Sequence, residues 1–381
     1  MILPPATLGM LGGGQLGRFF VAAAHELGYR VWVLDPDPHS PAGRIADRHL
    51  QADYVDQDAL LALAENCAAV STEFENVPAV ALEQLAKFVP VRPGAAAVAV
   101  CQNRIAEKNF LREHGIPHAP FAVIDAETDF AALPNALFPG ILKVARNGYD
   151  GKGQAQVDGV ESLRDAWRGF HQEACVLEAK LSLDCEISVV LARRANGEVA
   201  CFPAAENRHR NGILDVSIVP AGVASSLRTE AIEIAQRVAR ELDYVGVLAV
   251  EFFVCGNRLH VNEMAPRPHN SGHYTIDACI TSQFEQQVRV LCGLPLGDPA
   301  AHSSAVMVNL LGDLWYAKAA AHPAEPPWAS IFDTPGLKLH LYGKHHARAG
   351  RKMGHFTVLG DPGAALVDAA LAARTAIGVG T

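Results

Sequence analysis

Nothing in the sequence marks a disulfide framework or a zinc site. The eight cysteines (67, 101, 175, 185, 201, 255, 279 and 292) form no C-x-x-C pair, and the sixteen histidines form no H-E-x-x-H. Several of the cysteines lie in apolar runs, where a free thiol behaves as a small hydrophobe. That usage points to a reducing, cytoplasmic setting. No apolar run approaches the roughly eighteen residues that a membrane span requires, and the N-terminus lacks the basic segment, apolar core and cleavage site of a secretory leader. Positive charge is in deficit, with a formal net charge of −9, which argues against a general nucleic-acid surface. Internal repeats and low-complexity tracts are also missing. What remains is a chain of 381 residues, half of them apolar and 19% charged. Its length suits two or three domains, each with its own core.

The most informative stretch runs from Glu251 to His273, EFFVCGNRLHVNEMAPRPHNSGH. An apolar strand, Val245–Val254, is broken by one carboxylate, Glu251. A Cys-Gly-Asn-Arg turn and a second strand at Leu259–Val261 complete a hairpin signal. The second strand runs directly into Asn262 and Glu263, so two carboxylates and an amide meet near one end of the hairpin. Hard oxygen donors of this kind suit Mg²⁺. A two-residue Gly256-Asn257 turn would set Glu251 opposite Asn262. For Glu251 and Glu263 to share a metal, one extra residue must be absorbed by a bulge or a longer turn. Arg267, His269, Asn270 and His273 follow on a proline-stiffened segment. An exposed hairpin with charged edges is the plainer reading of the same residues, but it leaves Glu251 buried without a partner.

The N-terminal third alternates strand and helix: a strand at Thr7–Leu11, a helix at 18–27, a strand at Arg30–Leu34, a helix at 59–65, a strand at 69–73 and a helix at 78–87. This pattern predicts a parallel sheet. Gly12-x-Gly14-x-x-Gly17 with Asp35 matches a dinucleotide fingerprint, which keeps a nicotinamide-dependent oxidoreductase in play. The same glycines also suit another phosphate at a helix N-terminus, or a tight turn with no ligand. Polar residues Glu73, Glu75 and Asn76 follow a strand, where open sheets bind ligands. The turn at Val91–Gly94 marks a first boundary.

A single helix is expected over 95–114, carrying Arg104 and Lys108 four apart on one face, a spacing usual for a solvated stripe. Lys143 interrupts an apolar strand and requires an anion. Gly148-Tyr149-Asp150-Gly151-Lys152-Gly153-Gln154 follows it. Its three glycines suit a mobile loop whose amides face phosphate oxygens, although the Gly-Lys-Ser/Thr ending of a P-loop is missing and a plain hairpin turn is the alternative. Further strands are expected at 175–181, 183–192 and 199–203, then a polar loop at 206–210 and a helix at 229–242. One helix is expected over 276–292. A second boundary falls at 294–299. Short strands at 305–310 and 336–341 and a final alanine-rich helix complete the chain. Lys344, His345, His346, Arg348, Arg351 and Lys352 form a basic cluster that, taken alone, reads as a solvated loop.

The order of these features resembles the ATP-grasp enzymes: an α/β N-terminal unit, Arg104, Lys143, the glycine loop, Glu178-Ala179-Lys180-Leu181, Glu186, then Glu251 with Asn262 and Glu263. Within them the chain is similar to the 5-(carboxyamino)imidazole ribonucleotide synthetases. Gly12–Gly17, Thr72–Asn76, Pro266–His273 and His340–Lys344 carry that likeness, the third most specifically. The resemblance covers nearly the whole chain; only the residues before Thr7 and the stretch 317–322 look unlike a tight family core.

The resemblance implies a fold that is α/β, with α+β character in the central domain. A Rossmann-like pre-ATP-grasp domain would span 1–94, an ATP-grasp domain 95–298 and a small β-rich domain 299–381, the last closing the ribonucleotide site. It implies that ATP and Mg²⁺, or Mn²⁺, serve the carboxylation of 5-aminoimidazole ribonucleotide by bicarbonate through carboxyphosphate, in purine biosynthesis. Glu251 and Glu263 would hold the metal. Arg104, Lys143, Gly148–Gln154, Glu178–Leu181, Glu186, His209, Asn262 and Glu263 would hold ATP. Arg267, His269, Asn270, Tyr149 and Asp150 would be catalytic. Gly14, Gln15, Leu16, Glu73, Asn76, His273, Lys344 and Arg351 would bind the ribonucleotide. A homodimer is expected, with the product passed to a separate mutase and no nucleic-acid or membrane partner. The competing classes are the oxidoreductase, which leaves Lys143, Glu251 and Glu263 without a role, another ATP-grasp carboxylate-amine ligase, and a non-catalytic ATP-binding protein.

Overall fold

The computed structural model describes residues 1–146, 148, 153–316 and 323–378. Tyr149, Asp150, Gly151 and Lys152 of the glycine loop, and the stretch 317–322, lie outside the described residues.

The first unit follows the sequence pattern closely. It comprises β1 (Thr7–Leu11), α1 (Gln15–Glu26), β2 (Arg30–Leu34), β3 (Arg48–Leu50), α2 (Gln57–Asn66), β4 (Ala69–Thr72), α3 (Ala79–Leu85) and β5 (Val91–Arg92). The sheet order is β3-β2-β1-β4-β5, with every pairing parallel. Residues 91–92, read from sequence as part of a turn, supply its fifth strand. β1 and β4 are neighbours whose onward connections run to opposite sides of the sheet. Their C-terminal ends therefore form the switch-point crevice of an open α/β sheet, and Glu73 follows β4 there.

The helix expected over 95–114 is two helices, α4 (Ala95–Cys101) and α5 (Arg104–Glu113). Asn103 causes the break. Its side-chain oxygen accepts from the amides of Ile105 (2.9 Å) and Ala106 (3.4 Å), an N-cap that starts a new helix. β6 (Phe121–Ile124), β7 (Gly140–Val144), β8 (Gln154–Val157), α6 (Val160–Gly169) and β9 (Cys175–Ala179) follow. Their sheet is antiparallel in the order β6-β9-β7-β8.

The rest of the chain is built on β10 (Cys185–Arg193), β11 (Val199–Cys201), β12 (Ala205–Arg210), β13 (Ile213–Val219), α7 (Ser225–Glu241), β14 (Gly246–Cys255) and β15 (Arg258–Ala265). Then come α8 (Thr275–Ala278), α9 (Gln283–Leu291), β16 (Ser304–Leu311), β17 (Leu337–Leu341), β18 (Lys352–Gly360) and α10 (Ala364–Ala376). Nine strands form one sheet, ordered β15-β14-β10-β12-β13-β16-β18-β17 with β11 on β10. Residues 206–210 are thus a strand, not a loop; the sheet bonds their polar backbone, and of their side chains only Asn207 is buried. The helix expected over 276–292 is α8 and α9, separated where Ser282 caps α9 through the amide of Glu285 (3.1 Å). The C-terminal strands do not make a sheet of their own. β16 pairs with β13, so they extend the central sheet. α7 covers the β10–β14 region, packing Ala231, Ala235 and Val238 against Ile187, Leu191, Leu248 and Val250.

The Asn103 cap gives a direct test. Asn103→Ala should lower unfolding stability by about 1 kcal/mol, and Asn103→Asp should restore most of it. Urea midpoints of the three proteins measure the difference.

Candidate active site

The β14–β15 hairpin closes with a two-residue turn, Cys255 pairing with Arg258. Regular pairing continues to Phe252–Val261 and then shifts by one, so that Glu251 faces Glu263 and Asn262 is the extra residue. This bulge meets the condition that a shared metal imposes. Side chains alternate faces along a strand, and an unbulged register would have sent Glu263 to the opposite face from Glu251. Glu251 is buried; burial and the carboxylate of Glu263 push its pKa well above the usual carboxylate range. A buried carboxylate facing a second one is short of compensating positive charge, and two hard oxygen donors fit a divalent ion such as Mg²⁺.

Cations stand on the adjoining wall. Lys143, on β7, and Lys108, on α5, both reach Glu178 of β9, at 2.9 and 3.0 Å. Burial opposes ionisation of Glu178, but the two ammonium groups outweigh it and hold its pKa down to about 2. Lys108 also donates to the carbonyl of Asn262 (2.8 Å), and Lys143 lies 3.5 Å from its side-chain oxygen. The bulge is thus held by the cation cluster. Arg104 reaches Glu263 (3.3 Å) and the Gly148 carbonyl (2.8 Å). Lys143 and Lys108 share one carboxylate with Arg104 close by, and Lys143 has its pKa lowered by burial, against Glu178. This arrangement favours an added anion.

One sequence expectation is met here and one changes. The anion that Lys143 requires is Glu178, whose side chain lies within the ion cluster. Lys108 is fully buried, not part of a solvated stripe. The signal that would have found it is Glu178 itself, a carboxylate inside the apolar strand CVLEA that requires a partner.

These groups line a cavity of about 370 Å³. Glu186, His209, Asn76, Gln154, Arg267, His269 and Asn270 line it too, and so does Lys352, which sequence reasoning left in the basic loop. Glu186 and His209 pair at 3.2 Å. Asn270 is buried with both side-chain amide atoms lacking a partner; such a group requires one. Arg267 is paired with Glu75 of the first unit. His269 is held by a buried relay: Ser217 donates to Asn207 (2.8 Å), Asn207 to Ser188 (2.9 Å), Ser188 to Ser271 (2.7 Å), and Ser271 meets the Nδ1 of His269 at 2.8 Å. Burial, reinforced by Arg267, keeps His269 well below the usual histidine pKa and therefore neutral. On the Glu178–Leu181 segment, the amides of Ala179 and Lys180 are bonded to Pro120 and Pro139 (2.9 Å each).

The first glycine turn does not present its amides freely. Gly14 and Gly17 donate to the two oxygens of Glu73, at 2.6 Å each, and Gly13 donates to Asp35 at 2.6 Å. The protein's own carboxylates thus occupy the positions that a dinucleotide pyrophosphate and ribose would need, which removes the basis for the nicotinamide reading. Burial first, against those amide bonds, raises Glu73 to about 7. Any phosphate at this turn is left with Gln15 and Leu16, whose amides make none of these three bonds. His273 is fully buried beside Phe19, Phe284 and His355; it sits in the core rather than on the cavity wall. Lys344 donates to the Lys352 carbonyl (2.7 Å), and Arg351 to that of His346 (2.8 Å). Their loop touches the first unit, Arg44 donating to Gly343 (3.2 Å). Burial, then Arg351 nearby, lowers Lys344 to about 7.

Three family models match the chain in succession: a ribonucleotide synthetase preATP-grasp domain over residues 5–102, an ATP-grasp domain over 109–284, and a phosphoribosylaminoimidazole carboxylase C-terminal domain over 305–368. N5-carboxyaminoimidazole ribonucleotide synthase of Bacillus subtilis (strain 168) is 41% identical over 368 residues, 95% of this chain and 93% of that protein. The chain belongs to the N5-carboxyaminoimidazole ribonucleotide synthase family. Solved structures agree with this synthase assignment. The synthetase from Thermus thermophilus superposes with a TM-score of 0.88 at 40% identity, covering 98% of this chain and 99% of that one. The Aspergillus clavatus synthase, in complex with ADP and 5-aminoimidazole ribonucleotide, gives 0.84 at 30% identity, over 98% and 96%. Among the described residues, no helix is long and apolar enough to cross a membrane.

The Lys108–Glu178–Lys143 cluster predicts an acid-sensitive stability. Glu178 is held at about 2, below its ordinary value of 4.5. Its contribution is therefore complete above about pH 4.5 and is lost as pH falls towards 2, by about 3 kcal/mol. Glu178→Gln should be strongly destabilising at pH 7, by about 3–5 kcal/mol, because two buried ammonium groups lose their counter-ion. The difference between the two proteins in denaturant titrations should shrink steadily on acidification below pH 4.5.

Proposed function

We propose that this chain is the ATP-grasp ligase that carboxylates the exocyclic amine of 5-aminoimidazole ribonucleotide, using ATP and bicarbonate and releasing ADP and phosphate. The observation that carries the reading is the bulge at Asn262. It faces Glu251 towards Glu263 in a cavity whose other walls hold Lys143, Arg104 and the Arg267–His269–Asn270 segment.

In the proposed reaction, a bicarbonate oxygen attacks the γ-phosphorus and the bond to the ADP oxygen breaks, giving carboxyphosphate. The amine of the ribonucleotide then attacks the carboxyl carbon. The carbon–oxygen bond to phosphate breaks, and the nitrogen gives up a proton. Lys143 and Arg104, with the amides of the Gly148–Gln154 loop, would hold the polyphosphate. Glu186 and His209 would meet the ribose. Arg267, Asn270 and the Nε2–H of neutral His269, whose Nδ1 accepts from the Ser271 amide, would supply donors for a planar anion, and the departing phosphate would take the amine proton. Glu251 and Glu263 would hold Mg²⁺, or Mn²⁺, and a bound ion supplies charge neutralisation at the transferring phosphoryl group. A closed glycine loop would protect carboxyphosphate from water. The eight free cysteines fit a cytoplasmic location. A homodimer that passes its labile product to a separate mutase completes the proposal.

The testing experiment measures ADP release with bicarbonate and the ribonucleotide added singly and together. Full rate should require both, with slow turnover on bicarbonate alone. Equal rates with and without the ribonucleotide would break the proposed coupling.

Lys344 is within electrostatic reach of Glu73, Arg351 of Asp37, and both are crowded by like charges, an arrangement that supports a 5′-phosphate here. Lys344→Ala or Arg351→Ala should raise KM for the ribonucleotide by roughly tenfold to a hundredfold, the equivalent of one charged hydrogen bond. KM for ATP should barely move, and the effect should weaken as salt rises. Steady-state kinetics at two ionic strengths measure both.

A further inference from the structure

A second cluster of ligating side chains lies away from the ATP cavity, where α8, β17 and β18 meet. Asp277, His340 and His355 each bring one donor atom to it, and the three atoms lie within 4.8 Å of one another. The ribonucleotide reading uses none of the three.

The local geometry points to a ligand. His355 is fully buried. The Tyr342 hydroxyl meets its Nδ1 at 2.9 Å, while its Nε2 is buried with no hydrogen-bond partner. In metal sites one ring nitrogen is commonly fixed by an outer hydrogen bond and the other faces the ion. The His340 ring stacks on His355 at 4.7 Å, and its Nε2 meets Asp277 at 2.8 Å. The side chains of His340 and Asp277 are 22% and 11% exposed, which leaves an entry path to an otherwise buried position. Two imidazoles and one carboxylate match first-row transition ions rather than Mg²⁺, which prefers oxygen donors.

We propose that Asp277, His340 and His355 form a site for a divalent transition-metal ion of the zinc class, separate from the Glu251–Glu263 pair. Its three protein ligands leave one position for water. The bound ion ties the C-terminal strands β17 and β18 to α8, beside the Phe19 ring of the first unit. The site acts as a clip at the junction of the N-terminal, central and C-terminal segments.

The test uses full-length, tag-free protein stripped with a chelator. Zinc is titrated against a chromogenic competitor, and the visible spectrum is recorded with Co²⁺. One equivalent of zinc should bind to the cluster and raise the melting temperature, and Co²⁺ should show ligand-field bands. Asp277→Asn, which keeps shape and a hydrogen bond to His340, should abolish that equivalent and those bands. His340→Gln, at the accessible edge, provides the same test if Asp277→Asn does not fold. Tyr342→Phe should weaken zinc binding by roughly ten- to a hundredfold, as loss of an outer-shell partner does. Glu263→Gln should leave this equivalent intact. Zinc binding and Co²⁺ bands unchanged in Asp277→Asn or His340→Gln, or lost in Glu263→Gln, would overturn the proposal.

Discussion

One inserted residue sets the geometry on which the site depends. Asn262 shifts the β14–β15 register by a single position, and that shift brings Glu263 across from Glu251. The bulge is itself anchored, since its carbonyl accepts from Lys108. Lys108 is placed by α5, a helix that begins where it does because Asn103 caps it. The ammonium of Lys108 is in turn neutralised by Glu178, which Lys143 shares. A helix cap, a buried ion cluster and a strand bulge therefore form one dependent series. Removing any member would loosen the facing of Glu251 and Glu263.

The charges are separated by wall. Carboxylates in excess of cations occupy the hairpin side of the cavity, and cations in excess of carboxylates occupy the β7–β9 and α5 side. Each wall is costly alone, because buried charge is tolerated only when paired. The proposed magnesium polyphosphate would suit both walls, with Glu251 and Glu263 to hold the metal and Lys143 and Arg104 to meet the phosphates. Beyond that wall, Arg267, neutral His269 and the unpartnered amide of Asn270 would suit the smaller planar anion of the proposed reaction. The first unit joins this segment through Glu75 on Arg267, which links the two units at the reacting end of the cavity.

Much of this was legible in sequence where a local rule had one outcome. The alternating N-terminal pattern could form only a parallel sheet, and the turn length at Gly256-Asn257 required one absorbed residue if the two glutamates were to meet. Other features depended on distant partners. The Gly12–Gly17 turn looks like a dinucleotide site until Glu73, 56 residues beyond Gly17, is seen to occupy its amides. Lys108 looks solvated until β9 supplies Glu178. The helices over 95–114 and 276–292 each conceal a cap, Asn103 and Ser282, within a run of good helix formers. Residues 206–210 read as a loop because every side chain from Glu206 to Arg210 is polar, whereas the sheet bonds their backbone and neighbouring strands supply partners for Asn207 and His209. His273 belongs to the most specific motif in the chain, yet it is a core residue.

The proposed reaction turns on bicarbonate being the acceptor of the phosphoryl group, and oxygen transfer tests that directly. Turnover with ¹⁸O-labelled bicarbonate, ATP and 5-aminoimidazole ribonucleotide should deliver one labelled oxygen to each inorganic phosphate released, read by phosphorus NMR or mass spectrometry. Phosphate carrying no label from bicarbonate would mean that water or another group attacks ATP, and would contradict the mechanism derived from this site.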